Sequence, residues 1–277
     1  MTRFRDPHFC MTTLFRWGAL IGAILVACVA CQRNFPSSVS ETERTERPVA
    51  GNDSLTSFRL AKNKVYQINT VSKRTFYCGC AYDERRIAQD TCAFTTTRFS
   101  KRAARTEVEH IVPVHAFGQS FNAWRDGDPS CVDRQGKRFK GRRCATKVAP
   151  LFRRMSADLY NLRPVVGALN ALRSNLRMGE VEGEIRSFGR CDVEIEDGVF
   201  EPPDDIKGDI ARTYLYMDSA YPGRGILGRK QRQLMDVWHR LDPVSRSEQS
   251  WAETIRTIQG NVNPYIMEES QKSGDNL

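Results

Sequence analysis

The sequence predicts an α+β domain, a mixed fold with a helix-rich periphery and disulfides, and three observations carry that expectation. In the first half, "VYQINTV" and "TFYCGCAY" are rich in the β-branched and aromatic residues that favour strands. In the second half, "KGDIARTYLYMDSAY" places Ile210, Tyr214, Met217 and Tyr221 on one helical face, and "RKQRQLMDVWHRL" does the same with Leu234, Val237, Trp238 and Leu241. Six of the nine cysteines lie between residues 78 and 191, an even number suited to pairing. The chain has 277 residues, 40% of them hydrophobic, which is enough for a packed core and excludes a disordered protein.

Residues 1–27 are set apart from this domain. Arg3, Arg5 and Arg16 precede the apolar run "WGALIGAILVA", the layout of a secretory signal. The run is short for a membrane span, which takes about 20 apolar residues. It ends in "LVAC", residues 25–28, which resembles the box at which lipoproteins are cleaved and lipidated. Cys28 is therefore expected to be the first mature residue and the lipid attachment point, with ordinary signal cleavage as the alternative. Residues 28–56 are polar with almost no apolar periodicity and are expected to form a flexible tether between membrane anchor and domain. The folded domain is expected over 57–268, followed by a polar tail, 269–277.

Export places the remaining cysteines in an oxidising compartment. Setting aside Cys10, Cys28 and Cys31 leaves Cys78, Cys80, Cys92, Cys131, Cys144 and Cys191, which suit three disulfides better than a zinc site. Cys78 and Cys80 are too close to bond easily with each other. Cys131 and Cys144 bracket one local segment, and their pairing is the one favoured.

The formal charge is +9, and removing a leader that carries three Arg and one Asp leaves +7, so an anionic partner is expected. The densest charge is "DRQGKRFKGRRCATK", residues 133–147, with seven Lys or Arg and one Asp. Gly136 and Gly141 interrupt any helix there, so it reads as an exposed basic loop, held by Cys131–Cys144 and suited to phosphate.

The stretch "TEVEHIVPVHAFGQ" sets Glu109 beside His110 in an apolar run. A carboxylate buried without a partner costs several kcal/mol, so Glu109 needs water, a cation or a donor. Farther on, in "MSADLYNLRPVVGALNALRSN", Pro164 suits a helix start, leaving Asn161 before the helix and Asn170 within it. A carboxylate on a strand and an amide oxygen on a helix can together hold Mg²⁺, which keeps several waters. Neighbouring strand residues face opposite ways, so Glu109 and His110 share a site only where the strand ends, and Pro113 suits such an ending. A histidine that takes a proton from water while a metal neutralises phosphate charge is what phosphodiester hydrolysis requires.

Six motifs, "FYCGC", "EVEHIVP" followed by "FGQ", "ADLYNLRPVVGALNALRSN", "FGRC", "ARTYLYM" and "IQGNVNPYI", resemble in the same order those of the bacterial endonuclease I family. These are periplasmic and secreted nucleases of little sequence specificity with a ββα-metal active site, and the similarity covers roughly residues 58–267. The resemblance implies a central ββα-metal motif, His110 as general base, and Glu109 and Asn170 as ligands of one Mg²⁺. It also implies DNA as substrate, with RNA as a further class, and 5′-phosphate products; we expect a monomer.

One departure stands out. The family has a Gly-Gly-Arg sequence after its Trp, whose Arg supports the cleaved phosphate, whereas this chain reads "WRDGDPSC" after Ala123, with Asp128 and Pro129 in that place. Arg125, Arg142 and Arg143 are the candidate replacements. Arg173, three residues after Asn170, is a further candidate phosphate contact. His115 and His239 are expected to be structural. The expectation is thus an exported, membrane-tethered Mg²⁺-dependent endonuclease; the alternative is a catalytically weakened nucleic-acid-binding envelope lipoprotein.

Overall fold

The computed structural model describes residues 48–70, 72–183 and 185–267. The leader, Cys28 with its expected lipid, the tether up to residue 47 and the tail lie outside the described residues.

Ser57 opens the first helix, α1 (Phe58–Ile68), its hydroxyl accepting the Leu60 N–H at 3.5 Å. Val65, Tyr66 and Ile68 of "VYQINTV", expected in a strand, lie in this helix. Buried Ala61 and Val65, four residues apart, form the stripe that packs inward, and burial at helical spacing overrides local β preference. "TFYCGCAY" also yields little strand. Only Tyr82 enters β1 (Tyr82–Asp83), paired antiparallel with β2 (Arg86–Ile87). The rest is a turn held by disulfides Cys78–Cys191 and Cys80–Cys92.

The centre is built next. After α2 (Ser100–Ala103) comes β3 (Thr106–His110), followed by short helices α3 (Val114–Gly118), α4 (Asn122–Arg125), α5 (Arg142–Val148) and α6 (Pro150–Ser156). Then β4 (Leu162–Val166) pairs antiparallel with β3, matching Glu109 to Arg163 and His110 to Leu162. Pro164 therefore sits inside a strand and not at a helix start. The Ile111 N–H bonds the Asn161 carbonyl at 3.0 Å, so by alternation the Val108–Pro164 pair falls where no ladder bond is made and the missing N–H costs nothing. The helix α7 (Gly167–Arg173) starts three residues later than expected and packs back on β3. Gly167 is required at the junction, because a Cβ there would lie 2.7 Å from the Arg102 carbonyl oxygen.

Strands β5 (Arg177–Met178), β6 (Glu194–Glu196) and β7 (Val199–Glu201) form a small mixed sheet in the order β5-β7-β6. Three helices complete the domain: α8 (Lys207–Ala220), α9 (Arg229–Leu241) and α10 (Arg246–Gln259). The fold is α+β, as the sequence indicates. Ile210, Tyr214 and Met217 of α8, and Tyr221 just past its end, are buried as predicted, but so are Ala211, Leu215 and Tyr216, making it a central helix. On α9 the inward face is turned from the expected one: Met235 and Trp238 are buried, whereas Leu241 is 77% exposed.

The domain also begins earlier than residue 57. Asn52, expected in the tether, is buried: its N–H donates to Tyr221 Oη at 2.8 Å and its Nδ2 to the Arg154 carbonyl at 2.8 Å. Val49 and Leu55 pack against the core on either side of it.

Candidate active site

β3 ends directly after His110 because Asn161 fastens the following residues. Its Oδ1 accepts the Val112 N–H at 2.6 Å and its Nδ2 donates to the Val112 carbonyl at 3.0 Å. Alternation along β3 puts Glu107 and Glu109 on one face, and His110 is the residue at which the strand ends.

His110 is 8% exposed, with Phe58 beside it at a ring-centroid distance of 4.5 Å. Its Nε2 lies 2.9 Å from the Ser156 carbonyl oxygen. A carbonyl only accepts, so Nε2 carries the proton and Nδ1 keeps a free lone pair. Burial pushes the imidazole down to about 3, helped by the Arg142, Arg173 and Lys62 charges and opposed by the Ser156 bond. The ring is neutral at physiological pH, the form a general base needs.

Glu109 is 2% exposed. Its Oε1 accepts from Tyr77 Oη at 3.1 Å and lies 3.4 Å from Arg173 Nη1, while its Oε2 has no hydrogen-bond partner. Burial raises the carboxyl to about 7, against the pull of Arg173 and Tyr77. Asn170, on α7, donates through Nδ2 to Glu107 Oε2 at 2.9 Å. The two expected ligands thus stand on the same face of β3, and no hydrogen bond joins the His110 ring to either.

Arg173, the further candidate phosphate contact, is turned into the protein. It is 1% exposed and donates to the His110 carbonyl at 3.1 Å, the Ile111 carbonyl at 2.6 Å and Tyr214 Oη at 3.2 Å. It holds the end of β3 from inside. Of the other arginines, Arg142 opens α5 with its guanidinium 5.2 Å from the centroid of Phe58, the ring beside His110. Arg143 lies 3.9 Å over Phe139, and Arg125 is tied to the Gln119 carbonyl and Asn122 Oδ1 in its own turn. The Cys131–Cys144 disulfide is present, with Cα atoms 5.5 Å apart. The basic segment it brackets is a turn around Gly136 followed by the first residues of α5, rather than one loop. His115 sits edge-on to Trp124 at 6.0 Å, and Gly118 gives that indole room, since a Cβ there would lie 2.6 Å from the ring.

Four contributors escaped the sequence. Ser156 acts through its backbone, which no residue type signals, and Phe58 and Tyr77 reach the site from distant segments. Glu107 had a visible signal, the i−2 spacing to Glu109 in "EVEH".

Among the described residues no group of three or more His, Cys, Asp or Glu side chains is placed together as a metal centre. Mg²⁺ needs only one or two protein oxygens and waters. The unpartnered, buried Glu109 Oε2 and the Asn170 Oδ1, left over when Nδ2 binds Glu107, make a donor set that fits such a cation.

The family model described as Endonuclease I matches residues 52–270. The chain belongs to the Endonuclease I family. The match starts at Asn52, the residue that docks the N-terminal segment. An extracellular deoxyribonuclease of Aeromonas hydrophila is 35% identical over 229 residues, covering 79% of this chain and 91% of its own length. A periplasmic deoxyribonuclease of the same organism is 33% identical, covering 77% and 86%. Endonuclease-1 of Buchnera aphidicola is 31% identical, covering 78% and 82%. This Endonuclease I member thus shares most of its length with exported nucleases.

Proposed function

We propose that this protein is an exported, Mg²⁺-dependent endonuclease that hydrolyses phosphodiester bonds of DNA with little sequence specificity and leaves 5′-phosphate ends, with RNA as a further substrate. The observation that carries the reading is the His110 imidazole, its Nε2–H committed to the Ser156 carbonyl and its Nδ1 free. Membership of the Endonuclease I family and the deoxyribonuclease relatives support DNA as the substrate. Three disulfides in one domain suit an oxidising compartment outside the cytoplasm. Cys28 would fasten the mature protein to a membrane through lipid, and one copy of the chain suffices for the reaction.

Glu109 and Asn170, the strand carboxylate and helix amide of a ββα-metal unit formed by β3, β4 and α7, would hold the Mg²⁺. When bound, the ion supplies Lewis-acid stabilisation of charge on the phosphate and the departing 3′ oxygen. His110 Nδ1 takes the proton from the attacking water, and the Ser156 carbonyl stabilises the imidazolium that results. Arg142 contributes positive charge beside His110, the role left open by the absence of the family's Arg, and this weighs against the catalytically weakened alternative. Arg125, Arg143 and the remaining basic side chains of the segment 133–147 attract the nucleic-acid backbone.

Incubating the purified mature protein with supercoiled plasmid, with Mg²⁺ and with EDTA, tests the reading. Nicking and linearisation in Mg²⁺ alone, and a loss of roughly 10² to 10⁴ in rate for His110→Ala with DNA binding retained, are the expected results. Cleavage that persists in EDTA, or full activity in His110→Ala, would overturn it.

A further inference from the structure

The proposed metal site depends on which way round the Asn170 amide sits, because Oδ1 can ligate a cation and Nδ2 cannot. Turning that group over exchanges oxygen and nitrogen with little change of shape, so apolar packing does not choose between the two orientations.

Glu107 does choose. Its Oε2 accepts from Asn170 Nδ2 at 2.9 Å. Its other partners are guanidinium groups: Arg102 Nε reaches Oε1 at 2.9 Å and Arg102 Nη2 reaches Oε2 at 2.5 Å, while Arg105 Nε and Nη2 reach Oε1 at 3.2 and 3.0 Å. A carboxylate held by two guanidinium groups accepts and does not donate. The reversed amide would set one oxygen against another and lose its bond. The carboxylate itself has a built seat, because a Cβ on Gly167 would lie 3.0 Å from both Cγ and Cδ of Glu107. Only Val108 separates it from Glu109, which puts both on the same face of β3, so it acts from the side on which both ligands stand.

We propose that Glu107 is a positioning residue of the nuclease site, locking the Asn170 amide with Oδ1 turned to the divalent cation. The inference rests on the Mg²⁺-dependent reading above. Partners that orient a ligand in this way are worth about 10- to 100-fold in metal affinity.

The test compares Mn²⁺ affinity, by calorimetry on the DNA-free mature protein, for the parent, Glu107→Gln, Asn170→Asp and the double variant. Glutamine can present either nitrogen or oxygen, so Glu107→Gln frees the Asn170 amide to turn over and should weaken Mn²⁺ about 10- to 100-fold. Aspartate has two equivalent oxygens and no wrong orientation. In the Asn170→Asp background, Glu107→Gln should therefore cost no affinity. A purely structural Glu107 would give the same loss in both backgrounds, and that result, or parental affinity in Glu107→Gln, overturns the lock while metal dependence stands. A parent that binds no Mn²⁺ and cuts plasmid in EDTA sinks the metal reading and the lock together.

Discussion

Glu109 and His110 are adjacent, both nearly buried, and displaced by burial in ways that oppose each other in pH. Glu109 is raised from an ordinary 4.5 to about 7, so the folded state holds its proton more tightly than the unfolded chain. Its contribution to stability is present below about pH 4.5 and lost as pH rises through 7. His110 is lowered from 6.5 to about 3, so its contribution is present above about pH 6.5 and lost as pH falls towards 3. Above pH 6.5 Glu109 is the one of the pair that gives up a proton in the folded state, and buried Glu248, raised to about 8, titrates in the same range. Metal-free protein in EDTA should therefore lose on the order of 1 kcal/mol more stability between pH 6.5 and 8 than Glu109→Gln, which carries no charge at that position. Urea unfolding of the two proteins across that range measures the difference, and parallel profiles would remove Glu109 as its source. Mg²⁺ should restore the parent at pH 8, since a cation at Oε2 stabilises the ionised carboxylate.

Among the elements, α5 has the most to explain, because the sequence expected an unbroken loop and a choice between two neighbouring arginines. Consecutive helical residues point about 100° apart, so Arg142 and Arg143 meet different surroundings. Arg142 faces Phe58 and His110, and Arg143 covers Phe139. Arg142→Ala should lower the rate at saturating DNA by roughly 10² to 10³, the scale of losing one donor to a developing oxyanion, with affinity little changed. Arg143→Ala should keep the rate within a few-fold; equal losses in both variants, or none in either, would refute the assignment to Arg142. The same region shows why some elements were legible and others not. "EVEHIVP" announces β3 because the Glu-His pair and the proline lie within seven residues. Pro164 misled because its place in a strand depends on which register position it takes opposite Val108, a fact of pairing and not of composition. Val65 and Tyr66 misled because Ala61, outside the quoted run, completes the helical stripe.

Across the whole molecule, long-range polar bonds were hidden for the same reason, and the largest group of them converges on Asp158. This fully buried carboxylate accepts from Tyr216 Oη at 2.7 Å, Tyr221 Oη at 2.7 Å, Gln259 Nε2 at 2.9 Å, the Tyr160 N–H at 3.1 Å and the Asn52 N–H at 3.4 Å. Those partners bring together the N-terminal segment, α8, the residue after it, the end of α10 and the turn that carries Ser156 into β4. The residues of "QGNVNP" have the same purpose, since Asn261 donates to the Ala50 carbonyl and to Tyr216 Oη, at 2.8 and 2.7 Å. Residues 50–55 are thus bonded and packed into the domain and are not slack chain. A chain beginning at Ser57, where the sequence alone set the boundary, loses the Asn52 bonds and the packing of Val49 and Leu55. It also leaves Tyr221 and Asp158 open to water on that side. Compared with a chain beginning at Arg47, it should be destabilised by on the order of 3 kcal/mol, lowering Tm by about 6 to 12 °C. Asn52→Ala in the longer chain should reproduce about half of that loss, because it removes the side-chain bonds to the Leu55 and Arg154 carbonyls and leaves the backbone bonds in place. Differential scanning calorimetry decides the matter: equal Tm values for the two chain lengths would return residues 49–56 to the tether, and a loss in Asn52→Ala as large as that of the shorter chain would assign the docking to that side chain alone.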